Sequence, residues 1–510
     1  MKFVQIIAIF CPILVAVETA NILGIFPYPY FSHQKIHHAI MKILIERGHN
    51  LTIFTTHPQD YGDSPNVTQH IFAETVDIHL KYTDMLMYKQ KKLHWSQILM
   101  QYEIKAFYES GKKEMEHPEM QRMIRNSEDY NFDLIITECI MCPFLLLAEV
   151  FDCPIAMVAS SDAPAMIHGM FGNDVNPLKY SESLALPYIH GTMSIFEQIN
   201  SLIFQAFYEL IFNSAFFYNN AALNIEHFGH LGWKIVKSPT DRLSLLLTNT
   251  NQAFGHIRPL MPNTIQIGYL HVEKPKEIAD LELKKFLDNS ENGVIVMALG
   301  SRADTRSLGV DNVKQFMAAF NQTNMNVIWK LHEIEEGLEV PHNVEIVSWL
   351  PLADVLAHPN VKLLIFHGGL LTSYEAIDRE VPMIVFPLAY DQFMNARLMA
   401  KNGIALEMDL NDFDGLRLGS AIKEMTKQKY TENIVKMRAL AYNQPISSKD
   451  LTIWHIENAV RNRFIYAQDF GCMSIWESRS MHLTVYVVVF VGSLYILVRK
   501  RILKVHENSV

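Results

Sequence analysis

The chain has 510 residues, of which 49% are hydrophobic and 11% aromatic, so it is too long for one hydrophobic core and apolar enough to bury two. Its formal net charge of -10 is mild for this length, and no long basic block precedes the last dozen residues. Composition therefore favours two main domains and argues against a nucleic-acid-binding protein.

The first twenty residues have the pattern of a secretory signal peptide. One lysine precedes an apolar run over residues 3–17, and Ala20 supplies a small residue at the exit. We expect this segment to be removed, so that the mature chain begins near Asn21 inside the secretory pathway.

Apolar runs that alternate with helical spacing predict parallel sheets covered by helices. Residues 21–57 read as a strand, a loop containing His33, a helix and a second strand, which together make a βαβ unit. The pattern recurs around the predicted strand at residues 132–137. A Pro-rich segment, residues 257–263, separates this half from a second series of buried strands that starts with residues 293–301. Two such domains in tandem place a ligand cleft between the carboxyl ends of their sheets.

The C-terminal region carries the pattern of a membrane anchor. Residues 481–498 contain no acidic or basic side chain except His482, and a basic tail over residues 499–510 follows. Eighteen helical residues at about 1.5 Å each reach roughly 27 Å, which matches the thin membrane of the endoplasmic reticulum. We expect a single-pass type I protein of that membrane, with its body in the lumen and its tail in the cytosol.

The cysteines and sequons fit a luminal chain. Cys139 and Cys142 follow an apolar strand, and buried free thiols are favoured there over a redox pair or a zinc site, because no second pair is present. Sequons occur at Asn50, Asn66 and Asn321, and Asn66 is the best glycosylation candidate.

A strand at residues 361–366 leads into a turn suited to phosphate. His367, Gly368 and Gly369 follow the strand, and a helix with Thr372 and Ser373 in its first turn comes next. Free amides and the helix dipole at such a terminus favour an anion. An ordinary βα turn needs glycines for backbone reasons alone, so the turn by itself favours that ordinary turn over a phosphate site.

Three further side chains extend this set towards a sugar nucleotide. Glu375 lies one turn into the helix, where it suits ribose hydroxyls. Asp391 and Gln392 follow the next strand at the same sheet edge, and together they offer acceptors and an amide donor for sugar hydroxyls. The glycine fingerprint of nicotinamide binding and the Walker lysine are absent from the segment.

The run HGGLLTSYEA and the following DQFMNA resemble the signature of the UDP-glycosyltransferases of the GT-B fold, especially their insect members. The resemblance covers nearly the whole chain, since FSHQ, RGHN, FDLIITE, GNDVNP, RPLMPN, GVIVMALGS and WLP occur in the family's order. It implies an α/β protein with two Rossmann-like doubly wound domains facing a cleft. It also implies a UDP-sugar co-substrate and no metal.

The resemblance implies which residues bind each part of the UDP-sugar. Trp349 is implied to stack on uracil and Glu375 to hold ribose. The diphosphate is implied to lie against Ser301, His367, Gly368, Gly369, Thr372 and Ser373. The sugar is implied to bind Asp391 and Gln392 with Asn395 nearby, and Arg258 is a weaker candidate on the donor side.

The same resemblance divides the chain. The implied segments are a signal peptide at 1–20, an acceptor-binding domain at 21–265, a UDP-sugar-binding domain at 266–442, a helix packing back on the first domain at 443–470, a transmembrane helix at 481–498 and a tail at 499–510.

His33 is the candidate catalytic base. A lone loop histidine is more often a plain surface residue, and it is the match to the family's catalytic histidine that favours catalysis for His33. Glu138 stands where the family has an acidic residue that orients the imidazole. His37 is four residues beyond His33, but no HExxH pattern supports a zinc site, and we place His37 on the covering helix.

The leading hypothesis is an anchored UDP-glycosyltransferase. It transfers a hexose, with glucose expected, to hydroxyls of small lipophilic acceptors with inversion, in detoxification or in hormone or pigment conjugation. The alternative is a catalytically degenerate luminal homologue that only binds ligands. Phe366, Leu352, Glu380 and Tyr390 depart from the family pattern and put donor affinity in question. The sequence leaves open the acceptor, the donor sugar and whether the chains form a homo-oligomer.

Overall fold

The computed structural model describes residues 19–89, 104–140, 142–183, 186–189, 191–209, 214–232, 242–255, 257–300, 305–463 and 492. The predicted signal peptide up to residue 18, the predicted transmembrane segment apart from Gly492, and the predicted tail lie outside these ranges. Within the described ranges, no helix is both long and apolar enough to span a bilayer.

A seven-stranded sheet of parallel strands forms the centre of the first domain. Its strands are β1 (Asn21–Phe26), β2 (Asn50–Thr55), β3 (Val67–Ile71), β4 (Leu134–Glu138), β5 (Ile155–Ala159), β6 (Leu243–Thr248) and β7 (Thr264–Gln266). The spatial order is β3-β2-β1-β4-β5-β6-β7. The order reverses between β1 and β4, and doubly wound sheets bind ligands at the carboxyl ends of such a pair.

Both faces of this sheet are buried, as the nearly continuous apolar strands require. Leu23 and Ile25 pack into one core, whereas Ile22 and Phe26 pack into another on the opposite face. The helices of this half are α1 (Phe31–Glu46), α2 (Ala73–Lys89), α3 (Ile104–Met115), α4 (Pro118–Arg125), α5 (Leu147–Val150), α6 (Ala165–Met170), α7 (Ile195–Phe207) and α8 (Ser214–Phe228).

The second domain repeats the architecture with six parallel strands. They are β8 (Val294–Ala298), β9 (Asn326–Lys330), β10 (Val344–Val347), β11 (Val361–Phe366), β12 (Met383–Val385) and β13 (Ala405–Glu407), in the order β10-β9-β8-β11-β12-β13. The switch in strand order falls between β8 and β11, so the turn after β11 is placed to bind a ligand.

The helices of the second half cover both faces of its sheet. They are α9 (Leu281–Asp288), α10 (Thr305–Leu308), α11 (Val310–Phe320), α12 (Leu352–Val355), α13 (Leu370–Asp378), α14 (Gln392–Lys401), α15 (Gly415–Met425) and α16 (Gln428–Tyr442). Val296 and Leu364 contribute to one core and Ile295 and Leu363 to the other, which is the period of two that a doubly covered strand shows.

The last described helix, α17 (Ser448–Asn462), packs on the first domain although it follows the second. Its Ile456 and Ala459 are buried in the core that contains Ile22 and Phe26. Glu457 accepts a hydrogen bond from Arg47 at 2.9 Å. The chain therefore crosses back between the two domains before residue 448.

Cys139 and Cys153 are buried free thiols. The prediction of a buried free thiol at Cys139 is confirmed, and the side chain of Cys142 lies outside the described part of the structure.

Candidate active site

The carboxyl ends of β1 and β4 bring His33 and Glu138 together. His33 Nδ1 lies 3.0 Å from Glu138 Oε2 and 2.9 Å from Ser160 Oγ, which follows β5. The Glu138 side chain is fully buried, whereas 18% of the His33 side chain is exposed. Because Nδ1 faces a carboxylate, we assign its proton to that nitrogen, where Glu138 Oε2 and Ser160 Oγ can accept it, which leaves Nε2 as the nitrogen able to accept a proton.

His33 lies in the first turn of α1 rather than in the predicted loop. The helix begins at Phe31, and the His33 amide donates to the Tyr30 carbonyl at 2.9 Å. The buried Gln34 amide donates to the carbonyls of Phe26 and Tyr28 at 2.9 and 2.7 Å. These bonds fold the β1–α1 connection tightly onto the sheet, so the helix starts earlier than the residue pattern indicated.

Glu138 contacts a second histidine that the sequence analysis set aside. His37 Nε2 lies 3.1 Å from Glu138 Oε2, and its ring stacks on Phe26 at a centroid distance of 4.3 Å. Burial lowers the pKa of His37 despite the carboxylate. Burial alone would raise the pKa of Glu138, but His33 and His37 outweigh it and hold that pKa below its ordinary value. Glu138 is therefore ionised at neutral pH.

Four aromatic rings, called the aromatic wall, form a cluster on one side of the candidate base; they are Tyr28, Tyr30, His79 and Phe107. The Tyr28 ring meets the His33 ring edge-on at 4.5 Å and lies 5.4 Å from His79 and 5.7 Å from Phe107. Burial lowers the pKa of His79 to about 4, so this ring is neutral at physiological pH. His33 thus lies beside an aromatic surface of low polarity.

The turn after β11 has the backbone that its two glycines predicted. Gly368 has φ +89, and a Cβ there would lie 2.9 Å from Val385 Cγ1 and 3.1 Å from the Gln392 carbonyl oxygen. Gly369 is the N-cap of α13, so the first amides of that helix lie at the turn. Thr372 is partly exposed in the first helical turn, whereas the buried Ser373 hydroxyl donates to the Gly369 carbonyl at 3.0 Å. A phosphate at this turn would meet helix amides and Thr372 more readily than Ser373.

A lysine that the sequence analysis missed lies at the same sheet edge as this turn, with β8 between its strand and β11. Lys330 ends β9, and its Nζ is 4.9 Å from the ring centroid of Trp349, which is 65% exposed. Burial lowers the pKa of His367 to about 4, and the charge of Lys330 lowers it further, despite a hydrogen bond to the Ala298 backbone. His367 is therefore neutral at physiological pH, and Lys330 supplies the positive charge. A basic residue at the end of a central strand was the available signal.

The predicted sugar-binding residues form a hydrogen-bonded unit. The buried Asn395 amide donates to the Gly368 carbonyl and to Asp391 Oδ2, both at 3.0 Å. Gln392 Oε1 accepts the amides of Leu388 and Ala389 at 2.9 and 3.0 Å. Asn395 thus joins the turns after β11 and β12, and the Gln392 amide nitrogen can donate a hydrogen bond to a ligand.

The remaining candidates differ in their surroundings. Glu375 forms an ion pair with Lys35, which lies on α1 of the first domain. Arg258 forms a buried ion pair with Asp162 at 2.9 Å, within the first domain. Ser301 lies outside the described residues. Within the described ranges, no three His, Cys, Asp or Glu side chains are grouped as metal ligands would be.

Two of the departures from the family pattern have a left-handed backbone. Glu380 has φ +59 and Tyr390 has φ +54. Glu380 follows α13 at the position where glycine commonly ends a helix, which accounts for the glycine expected there. Phe366 is fully buried in the core of the second domain, and Leu352 packs against that core. A hydroxyl in place of Phe366 would therefore lie in apolar surroundings.

Comparison with known proteins agrees with this geometry. Residues 24–465 match the family described as UDP-glucoronosyl and UDP-glucosyl transferase. UDP-glucosyltransferase 2 of Dactylopius coccus is 28% identical and covers 90% of this chain and 87% of its own. The ecdysteroid UDP-glucosyltransferase of Lymantria dispar multicapsid nuclear polyhedrosis virus is 26% identical and covers 88% of each chain.

Two solved structures share the GT-B fold. The glycotransferase of kitacinnamycin has a TM-score of 0.56 at 15% identity and covers 87% of this chain and 99% of its own. The glycosyltransferase SnogD from Streptomyces nogalater has a TM-score of 0.55 at 16% identity, covering 87% and 100%. With the family matched over most of its length and the GT-B fold formed by two parallel-sheet domains, this chain belongs to the UDP-glucuronosyl and UDP-glucosyl transferase family and is a UDP-glycosyltransferase.

Proposed function

We propose that the enzyme transfers a hexose, with glucose expected, from a UDP-sugar to a hydroxyl group of a small lipophilic acceptor, with inversion at the anomeric carbon. The observation that carries this proposal is the contact of 3.0 Å between His33 Nδ1 and the buried Glu138 carboxylate. A histidine held in this way by an ionised carboxylate suits general-base catalysis.

The proposed reaction is one displacement. His33 Nε2 takes the proton of the acceptor hydroxyl as the oxygen attacks the anomeric carbon. The bond from that carbon to the diphosphate oxygen breaks, and UDP leaves with the electron pair. Glu138 stabilises the imidazolium that forms, and the amide end of α13 and Lys330 stabilise the leaving diphosphate.

Two observations support the proposed substrates. Tyr30, the partly exposed ring of the aromatic wall, lies 6.3 Å from the His33 ring and can contact an acceptor with a flat apolar body. The names of two relatives, UDP-glucosyltransferase 2 and ecdysteroid UDP-glucosyltransferase, favour glucose as the donor sugar. We extend this to a role in detoxification or in hormone or pigment conjugation.

The proposal includes a location. The signal-peptide pattern at residues 1–20 and the apolar segment at 481–498 favour a type I protein anchored in the endoplasmic reticulum membrane, with both domains in the lumen. Protease protection of the body, but not of a tag on residue 510, in intact microsomes is the expected result.

Labelled UDP-glucose and UDP-glucuronate, each offered with phenols and steroids, test the function. We expect transfer of glucose to a hydroxyl and a product of inverted anomeric configuration by NMR. The His33→Ala protein should bind UDP and fail to transfer sugar, whereas His342→Ala, at an exposed histidine before β10, should keep its activity. UDP binding without transfer from any donor would favour the noncatalytic alternative, and full turnover by His33→Ala would refute the assigned base.

A further inference from the structure

An ion pair joins the first domain to the second. Lys35, on α1 of the first domain, donates to Glu375 Oε1 on α13 of the second. The Glu375 side chain is 6% exposed and that of Lys35 34%. Glu375 is the residue expected to hold the donor ribose, so the first domain reaches directly into the nucleotide site.

Lys35 lies near the candidate base in the sequence and near the first turn of α13 in space. It lies two residues after His33 in the same helix. Glu375 lies three residues after Thr372, so the two side chains share one face of α13. Burial is the main cause of the lowered pKa of His271, and the charge of Lys35 lowers that pKa further. His271 Nε2 contacts the Leu371 carbonyl at 3.1 Å. The Lys35 ammonium therefore lies near the first turn of α13.

The ion pair uses only one of the two oxygens of the Glu375 carboxylate. An ionised carboxylate can accept about four hydrogen bonds. Lys35 bonds one oxygen, Oε1, so Glu375 Oε2 can still accept from a ribose hydroxyl while the ion pair persists. Because charge-assisted bonds are strong and directional, Lys35 also limits the rotation of the carboxylate.

We propose that Lys35 is a positioning residue which the first domain supplies to the nucleotide site of the second. It holds the Glu375 carboxylate in the orientation that binds ribose, and it makes nucleotide affinity depend on the approach of the two domains. The assignment of ribose to Glu375 rests on the proposed function, but the test needs no acceptor and no sugar transfer.

The chain provides a matched control on the same helix. Lys42 lies seven residues after Lys35, hence on the same face of α1, and its Nζ is 2.5 Å from Glu273 Oε1. Both of these side chains are about half exposed, at 53% and 51%. Lys42→Met thus removes an equal charge, from a more exposed ion pair, without touching Glu375.

Titration calorimetry with UDP and with uridine tests the proposal. Lys35→Met should weaken the binding of both ligands by the same factor, about threefold to tenfold, because both contain the ribose. Lys35→Arg should restore most of the affinity, and Lys42→Met should stay within about twofold of the unchanged protein. The acceptor KM of Lys35→Met should not change.

The double variant distinguishes a positioning role of Lys35 from a direct contact between Lys35 and the nucleotide. If Lys35 acts through Glu375, Lys35→Met in a Glu375→Gln background should cause no further loss of uridine affinity. Unchanged or tighter nucleotide binding by Lys35→Met would overturn the proposal. So would a loss for UDP alone, which indicates a diphosphate contact, or losses that add in the double variant. A protein that binds nucleotide as expected but never transfers sugar would count against the proposed function only.

Discussion

Glu138 Oε2 lies 3.0 Å from His33 Nδ1, across the point where the strand order of the first sheet reverses. The carboxylate has no exposed surface; its Oε2 contacts the His33 and His37 rings, and its Oε1 accepts a hydrogen bond from the Cys139 backbone amide. A buried negative charge beside one imidazole nitrogen makes the other nitrogen the better proton acceptor, so activity should depend on the charge of Glu138 as much as on its presence.

Glu138→Gln tests that charge directly. The amide keeps the shape and can still bond His33, but it cannot stabilise an imidazolium. We expect kcat to fall by about 10²- to 10⁴-fold, with UDP affinity unchanged. Stopped assays and UDP titration on the same preparation measure both quantities. A kcat within a few-fold of the unchanged enzyme would show that the carboxylate is only structural.

His37→Phe distinguishes the two histidines that share Glu138. His37 is fully buried and stacked on Phe26, so it cannot reach an acceptor, and phenylalanine preserves the stacking. We expect kcat to fall by less than about tenfold, whereas His33→Ala abolishes transfer. Circular dichroism should confirm that both variants are folded. If His37→Phe is folded and as inactive as His33→Ala, the assignment of the base to His33 is wrong.

Glu380→Gly should stabilise the second domain. Glu380 has φ +59, a conformation that costs a residue with a Cβ roughly 1 kcal/mol, and glycine removes that cost. The substitution also removes a contact of 3.3 Å with Arg438, which is worth little because both side chains are substantially exposed. Glu380→Ala loses the same contact but keeps the Cβ. We expect the glycine variant to have the higher urea midpoint of the two, and equal midpoints would contradict the backbone explanation.

Stability should fall on mild acidification. Burial lowers the pKa of His38 and His367 to about 4 and that of His271 to about 3, against 6.5 ordinarily. Below pH 6.5 these three histidines bind protons in the unfolded chain but stay neutral in the folded protein. Their contribution to the free energy of unfolding is therefore fully present above pH 6.5 and is lost as the pH falls towards 4. A shift from 6.5 to about 4 corresponds to on the order of 3 kcal/mol per group. The lowered pKa of Glu138 adds a further loss only below its ordinary value of 4.5.

Urea midpoints between pH 7.5 and 4.5 measure this dependence. His38 Nδ1 contacts Tyr61 Oη at 2.6 Å and its Nε2 contacts the His57 carbonyl at 2.7 Å, and the amide of glutamine can replace both contacts without titrating. His38→Gln should therefore lessen the slope. A midpoint that stays constant from pH 7.5 to 4.5 would contradict the buried neutral state of these histidines.

The sequence was sufficient to predict the two sheets and the strand ends that carry the site. Apolar runs of strand length, separated by helical periodicity, predicted two parallel sheets, and both are formed. Because the carboxyl ends of parallel strands meet at one edge, Glu138 at the end of β4 and His367 after β11 could be placed at that edge of their sheets from local pattern alone. The turn glycines followed from the same reasoning, since Gly368 requires a positive φ.

The sequence by itself determined which strand ends carry chemistry, because that follows from short-range periodicity and turn residues. Only the tertiary structure decided the partners of the side chains at those ends. The contact of Ser160 with His33, the pairing of Lys35 with Glu375 and the burial of Arg258 against Asp162 each join segments far apart in the chain. Such contacts depend on strand order and on how the two domains approach each other, and neither quantity is encoded in the spacing of neighbouring residues.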